Sequence, residues 1–120
     1  SLRYVISGAE ALSDEIVKKF YNVSTAQLIN IYGPTECTIN ATYFVCPKEG
    51  EKTTRYVPIG ESVGGIKVYL SDQHNNEVPL GGVGEICISG SGLARGYLSA
   101  QGTMEACKTS SENGPYYKTG

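Results

Sequence analysis

Hydrophobic and polar positions divide the first third of the chain into two mainly apolar runs and an amphipathic stretch between them. The runs cover residues 2–6 and 26–31. Between them, apolar side chains recur at helical spacing around Ser13, a favourable N-cap residue. These positions are Leu12, Ile16, Val17 and Phe20. The order strand, helix, strand predicts a right-handed βαβ unit in a parallel sheet, whose strands are typically buried on both faces.

The second part of the chain carries strand and turn signals. Residues 42–46 are rich in strand formers, and residues 47–55 hold five charged side chains in nine positions, which indicates an exposed loop. Alternation predicts strands over 66–70 and 85–89, with a short edge piece at 78–80. Fifteen glycines suit the sharp bends of a small barrel. The predicted fold class is therefore α/β, with an α/β sheet subdomain over 1–46 and a small distorted β-barrel subdomain over 47–120.

Composition narrows the class of protein further. A net charge of −2 without basic blocks argues against a nucleic-acid partner, and no apolar run approaches the roughly 20 residues that span a bilayer. The first residues lack the layout of a signal peptide, so we expect a cytoplasmic protein without a membrane partner. Four scattered cysteines without zinc-site spacing indicate free, partly buried thiols. The chain begins inside a strand-like run without an initiator Met, which suggests a piece of a longer protein.

The heptapeptide at 30–36, Asn-Ile-Tyr-Gly-Pro-Thr-Glu, holds the most specific chemistry. It ends a predicted strand at a Gly-Pro turn, the place where open α/β sheets bind ligands. The ring of Tyr32 offers a flat face for a base, and the Thr35 hydroxyl can donate to a phosphate oxygen. A carboxylate beside phosphates needs an intervening cation, so Glu36 implies Mg²⁺. The alternative interpretation of these residues alone is a strand that ends in an ordinary turn.

Four stretches of the chain resemble one family in the same order. The heptapeptide is similar to the Asn-x-Tyr-Gly-Pro-Thr-Glu motif of adenylate-forming enzymes, specifically the adenylation domains of nonribosomal peptide synthetases. Residues 84–98 (GEICISGSGLARGYL) resemble the family's Gly-Glu-Leu-x-Ile-x-Gly-x-Gly-x-Ala-Arg-Gly-Tyr motif. Residues 117–120 (YKTG) resemble Tyr-Arg/Lys-Thr-Gly-Asp without its aspartate, and residues 7–12 (SGAEAL) resemble Gly-Gly-Glu-Ala-Leu.

The resemblance implies that the parent enzyme activates an amino acid with ATP and Mg²⁺ and transfers it to the 4'-phosphopantetheine thiol of a peptidyl carrier domain. It implies catalytic roles for Thr35 and Glu36, with Glu36 as the metal ligand. It implies nucleotide binding by Gly8, Ala9, Glu10, Asn30, Ile31, Tyr32, Gly33 and Thr35. It implies a substrate pocket lined by Val5, Ser7, Ile31, Ile39 and Asn40. The phosphate loop, the ribose-binding aspartate and the catalytic lysine of the family are expected in upstream and downstream parts, so this chain alone should be inactive.

Several alternatives stay open at this stage. The parent could be an acyl- or aryl-CoA ligase of the same superfamily, or the chain could be a stable module without activity. Ser7 and Glu10 could form a capping box at a strand-to-helix loop. The glycine-rich run 90–96 lacks the spacing of a phosphate loop and is interpreted as structural, so Arg95 is not assigned a catalytic role. His74 in a polar turn is interpreted as an ordinary surface residue.

Overall fold

The computed structural model describes residues 1–48, 57–99, 102–104, 108–110 and 114–120. Most of the predicted exposed loop at 47–55 lies outside these ranges. The chain forms two compact units, Ser1–Tyr32 with Thr42–Glu61, and Gly33–Ala41 with Ser62–Gly120. The predicted division between residues 46 and 47 concerns the subdomains of a whole enzyme and stays a prediction.

The first unit contains the predicted strand–helix–strand arrangement. Its elements are β1 (Tyr4–Ser7), α1 (Asp14–Val23), β2 (Gln27–Tyr32) and β3 (Thr42–Val45). Strands β1 and β2 are parallel, and β3 runs antiparallel to β2. A parallel pair separated by a helix confirms the predicted βαβ connection. The strand order of this sheet is β1-β2-β3-β4, where β4 is Glu61–Ser62.

Helix α1 begins and packs for the reasons that its sequence predicts. The Ser13 side chain accepts a hydrogen bond from the Ile16 backbone N–H at 3.4 Å, and two acidic residues occupy the first turn. The side chain of Val17 lies in an apolar core that the helix shares with the sheet. This core contains Leu12, Val17, Leu28, Cys46 and Val57. The Ile16 side chain, also part of the predicted helical stripe, is 53% exposed.

A partly buried polar contact fixes the helix against the sheet of the first unit. The Tyr21 hydroxyl donates to the carbonyl oxygen of Cys46 at 2.8 Å and accepts from the Leu28 backbone N–H at 3.0 Å. One side chain on α1 therefore satisfies backbone groups of two other segments, which holds the register between them.

The second unit begins with a 3₁₀ turn at Thr35–Cys37 and continues in strands. These are β5 (Ile66–Ser71), β6 (Glu85–Gly90), β7 (Tyr97–Ser99), β8 (Gly102–Met104), β9 (Lys108–Ser110) and β10 (Gly114–Lys118). Four of them form an antiparallel sheet in the order β5-β6-β10-β9, and β7 pairs with β8. Tyr69, Cys87 and Tyr116 form its buried cluster. The predicted β character is confirmed, although the described strands do not form a closed barrel.

The prediction of a short edge strand at 78–80 is wrong. Residues 78–80 form no strand: the ladder ends in a single bridge between Ser71 and Glu77, followed by a hydrogen bond from the Val78 N–H to the Leu70 carbonyl at 2.8 Å. Pro79 has no N–H to extend the pairing, and its carbonyl instead accepts from the Gly82 N–H in a turn.

Candidate functional site

The loop that follows β1 adopts an unusual backbone conformation. Ala9 has φ 73°, in the left-handed region that non-glycine residues seldom occupy. At Gly8, an added Cβ would lie 2.7 Å from Cγ1 of Ile31, so only glycine lets this loop approach β2 so closely. Helix α1 is capped by Ser13 and starts at Asp14. The capping-box alternative for Ser7 and Glu10 is therefore wrong, since neither residue lies at the helix N-terminus.

Strand geometry distributes the predicted residues of the first unit between two faces of the sheet. Ser7 lies opposite Asn30, and Val5 opposite Leu28. Because successive side chains alternate, these positions share the face that packs against α1, together with Tyr32, while Ile31 lies on the other face. Tyr32 is half-buried. The structure thus brings Ser7, Asn30 and Tyr32 to one face and separates Ile31 from them.

Asn30 is buried, with 4% of its surface exposed, and its Nδ2 donates to the carbonyl oxygen of Pro58 at 2.9 Å. The hydrogen bond connects β2 to the residues that follow the predicted exposed loop. Its assigned role beside adenine stays a prediction, and the structure adds a second, internal role for the same side chain.

In the second unit, the turn at 33–41 is tightly folded and strained. An added Cβ at Gly33 would lie 2.4 Å from the Ile39 carbonyl oxygen and 2.6 Å from the Ala41 nitrogen. Thr38 and Ile39 have φ 54° and 76°, which is unusual for β-branched residues. Strain of this kind concentrates at ligand-binding and catalytic sites, where the surrounding structure maintains it.

The Glu36 side chain has a specific partner in the second unit. The Tyr97 hydroxyl donates a hydrogen bond to Oε1 of Glu36, and the Ala94 N–H donates to the Glu36 carbonyl oxygen at 2.7 Å. The bond from Tyr97 holds the pKa of the Glu36 carboxyl below its ordinary value, with a smaller contribution from Tyr117. The same bond raises the pKa of the Tyr97 hydroxyl well above its usual range. Glu36 is therefore an anion held by neutral hydroxyl donors.

These tyrosines are the residues that sequence reasoning missed. Tyr97 is the second-last residue of the motif at 84–98, whose glycine pattern indicates a structural role, and Tyr117 opens the motif at 117–120. Burial is the largest cause that raises the pKa of the Tyr117 hydroxyl, and the negative charge of Glu36 raises it further. Three motifs that are far apart in the chain thus meet at one carboxylate. In the sequence, only the resemblance of all three motifs to one family could have indicated that they lie together. Their spacing along the chain does not reveal this contact.

The chemistry of Glu36 suits a magnesium ion that is held mainly by phosphates. Among the described residues, no three His, Cys, Asp or Glu side chains form a group that could hold a metal by themselves. Mg²⁺ in nucleotide sites is bound through one or two carboxylates together with substrate phosphates. A single ionised carboxylate at Glu36 fits that pattern. Thr35 beside it is exposed, as are the predicted pocket residues Ile39 and Asn40.

The remaining predictions concern the cysteines and membrane-spanning segments. Cys37, Cys46 and Cys87 are buried free thiols, as predicted, and burial raises the pKa of Cys46. Cys107 lies outside the described residues. Within the described ranges, no helix is long and apolar enough to cross a membrane.

The chain is similar to known proteins along its whole length. Residues 1–98 match the family described as AMP-binding enzyme. Tyrocidine synthase 3 from Brevibacillus parabrevis is 42% identical over 126 residues, which cover 100% of this chain and 2% of that protein.

Two solved structures share the fold along almost the whole chain. PA1221, an NRPS protein containing adenylation and PCP domains, is 31% identical with a TM-score of 0.82, over 99% of this chain and 25% of that one. The Vibrio cholerae adenylation domain AlmE, solved in complex with glycyl-adenosine-5'-phosphate, is 28% identical with a TM-score of 0.82, over 99% of this chain and 23% of that one. The chain therefore spans a quarter or less of each of these proteins.

Proposed function

The chain belongs to the AMP-binding enzyme family, and from that premise we propose that it is part of an adenylation domain that activates an amino acid in nonribosomal peptide synthesis. The single observation that best supports the proposal is the match to synthetases and adenylation domains along the entire chain, which includes the turn that presents Thr35 and Glu36. The sequence resemblance to this family is confirmed. A cytoplasmic location and the subdomains 1–46 and 47–120 are part of the same proposal.

The proposed reaction has two steps. A carboxylate oxygen of the amino acid attacks the α-phosphorus of ATP, the bond from that phosphorus to the bridging oxygen breaks, and pyrophosphate leaves. The resulting aminoacyl-AMP is then attacked by the thiol of a carrier domain, which forms a thioester and releases AMP. Catalysis of the first step rests on positioning and on stabilisation of charge at the phosphorus.

In this proposal the residues of the chain bind and orient the substrates. Tyr32 stacks on adenine, Asn30 lies near its edge, and the loop at Gly8–Glu10 forms one wall of the site. Thr35 donates to a phosphate oxygen, and Glu36 binds Mg²⁺. Mg²⁺, when bound, neutralises the charge that builds up on the phosphates. The strained backbone at Ala9 and Thr38 supports this assignment, because both residues lie in loops assigned to the site.

The resemblance assigns the amino-acid pocket to Val5, Ser7, Ile31, Ile39 and Asn40, of which Val5 and Ser7 lie on the sheet face that packs against α1 and Ile31 on the other. Three of these side chains are aliphatic, whereas Ser7 and Asn40 can form hydrogen bonds. An amide that is buried by the substrate without a partner would cost roughly 1–3 kcal/mol. A substrate side chain with some polar character is therefore expected to react better than a purely aliphatic one.

ATP–pyrophosphate exchange on the complete adenylation domain, with a panel of amino acids, tests the proposal. We expect exchange with at least one amino acid, and polar side chains to exceed leucine and valine. Exchange with fatty or aryl acids, together with transfer of the acyl group to CoA in a separate assay, would instead support an acyl- or aryl-CoA ligase. A domain that is folded but inactive with every acid would contradict the proposal.

A further inference from the structure

Residues 92–97, here called the bracket, contact the Glu36 turn at several points within the second unit. The Ala94 N–H donates to the Glu36 carbonyl oxygen at 2.7 Å, and the Thr38 hydroxyl donates to the Gly92 carbonyl oxygen at 2.7 Å. An added Cβ at Gly92 would lie 3.3 Å from the Cys37 carbonyl oxygen, so the two backbones approach closely. The bracket therefore fixes the backbone from Glu36 to Thr38.

The last residue of the bracket acts on the Glu36 side chain itself. The Tyr97 hydroxyl donates to one carboxylate oxygen, Oε1, although the two residues are 61 positions apart. A glutamate side chain has several rotatable bonds, and ordering it costs free energy that reduces the affinity for a ligand. A charge-assisted hydrogen bond from a hydroxyl is strong enough to order the carboxylate in advance. The carboxylate is then already ordered when a cation binds.

We propose that Tyr97 is a positioning residue for Glu36: its hydroxyl holds the carboxylate through Oε1 in an orientation that can bind the magnesium–nucleotide complex. The inference rests on the proposed function, since it concerns the same site. It assigns to the motif at 84–98 a role in cation binding that its glycine pattern does not indicate. Outer-shell partners of this kind are typically worth 10- to 100-fold in metal affinity.

The test uses the complete adenylation domain and Mn²⁺ as a spectroscopic probe in place of Mg²⁺. Binding of Mn²⁺–ATP is followed by electron paramagnetic resonance without amino acid, so the readout does not depend on catalysis. Tyr97→Phe keeps the ring and removes the hydroxyl. It is expected to raise the dissociation constant of Mn²⁺–ATP by about 10-fold. Tyr4→Phe, which removes a hydroxyl from a side chain that is 60% exposed in the first unit, is the matched control and should leave that constant unchanged.

A double-mutant cycle separates positioning from a general effect on the fold. If Tyr97 acts through the Glu36 carboxylate, then Tyr97→Phe should have no further effect on Mn²⁺–ATP binding in a Glu36→Gln background. Unchanged Mn²⁺–ATP affinity in Tyr97→Phe would overturn the inference, and so would an equal loss in both backgrounds. Loss of folding in Tyr97→Phe, seen by circular dichroism, would also overturn it, because the hydroxyl would then be a structural requirement. Wild-type protein without pyrophosphate exchange would count against the proposed function instead.

Discussion

The carboxamide of Asn30 donates from Nδ2 to the carbonyl oxygen of Pro58 at 2.9 Å, in a position where only 4% of Asn30 is exposed. The neighbouring residue Val57 donates its N–H to the Leu12 carbonyl at 3.0 Å and packs into the core of the first unit. One side chain in the family motif therefore stabilises the described segment that begins at Val57.

Asn30→Ala should lower the free energy of unfolding, because the Pro58 carbonyl then loses its buried donor. The expected loss is about 1–3 kcal/mol. Urea unfolding of the complete adenylation domain measures it. Asn22→Ala, at an exposed position in α1, is the control and should change stability little. Equal stability of the two variants would show that the Asn30 contact does not stabilise the fold.

Gly33→Ala tests the close packing of the turn that carries Glu36. Its new Cβ would lie 2.4 Å from the Ile39 carbonyl oxygen and 2.6 Å from the Ala41 nitrogen, and backbone atoms cannot move aside cheaply. A displaced turn should reduce pyrophosphate exchange by on the order of 100-fold, as misplacement by about 1 Å does in other enzymes. Gly64→Ala is the matched control, since in the described part of the chain no atom beyond its two neighbours lies within 4 Å of its added Cβ. Normal exchange by Gly33→Ala would contradict the described turn.

Asp72 predicts a pH dependence of stability in the second unit. Its Oδ1 accepts from the backbone N–H groups of His74 and Asn76, each at 2.8 Å. The bond from Asn76 is the largest cause that holds the pKa of Asp72 below its ordinary value. A depressed folded-state pKa contributes stability above the unfolded-state pKa, and this contribution is lost as pH falls through the folded-state value.

Urea unfolding at pH 6 and pH 3 therefore should show a smaller effect of Asp72→Ala at the lower pH. Asn22→Ala removes an exposed side chain without a carboxyl group, and its effect should not change between these pH values. A pH-independent effect of Asp72→Ala would show that the charge of Asp72 does not stabilise the turn.

The sheet of the first unit has an apolar face opposite α1. Ile6, Ile29 and Val45 lie side by side on three adjacent strands, and Ile6 and Val45 are 62% and 48% exposed. An exposed apolar face on an edge strand promotes association. Residues 1–120 alone should therefore elute from size-exclusion chromatography as associated species and show no pyrophosphate exchange.

Ile6→Lys should shift this isolated chain towards the monomer, whereas Ile16→Lys, on the exposed side of α1, should not. A monodisperse, active monomer of the unaltered chain would contradict the described surface. It would also contradict the expectation that residues 1–120 need the phosphate loop and the catalytic lysine of the family for activity.

Local rules were sufficient for most of the fold. Ser13 and the apolar spacing after it predicted α1, because capping and one-sided burial are local properties. The strand predicted at 78–80 from its apolar composition does not form, because Pro79 has no N–H for a ladder. The pairing order β5-β6-β10-β9 was not predictable, because it depends on contacts between distant residues.

The candidate site was only partly predictable for the same reason. A carboxylate after a strand and a Gly-Pro turn indicates cation chemistry from residue types alone, so Glu36 was found. Tyr97 was not found, because its contact with Glu36 joins two segments that no periodicity connects. The internal bond of Asn30 to Pro58 was missed as well, since a motif residue draws a functional interpretation first.

Pyrophosphate exchange by Glu36→Gln in the complete adenylation domain tests the central claim most directly. The substitution keeps the shape of the side chain and removes the charge that is assigned to Mg²⁺, so exchange should fall on the order of 10²-fold while the melting temperature stays near that of the wild type. Glu15→Gln, on the exposed surface of α1, is the control and should exchange normally. Exchange by Glu36→Gln at the wild-type rate would contradict the assignment of Glu36 as the metal carboxylate.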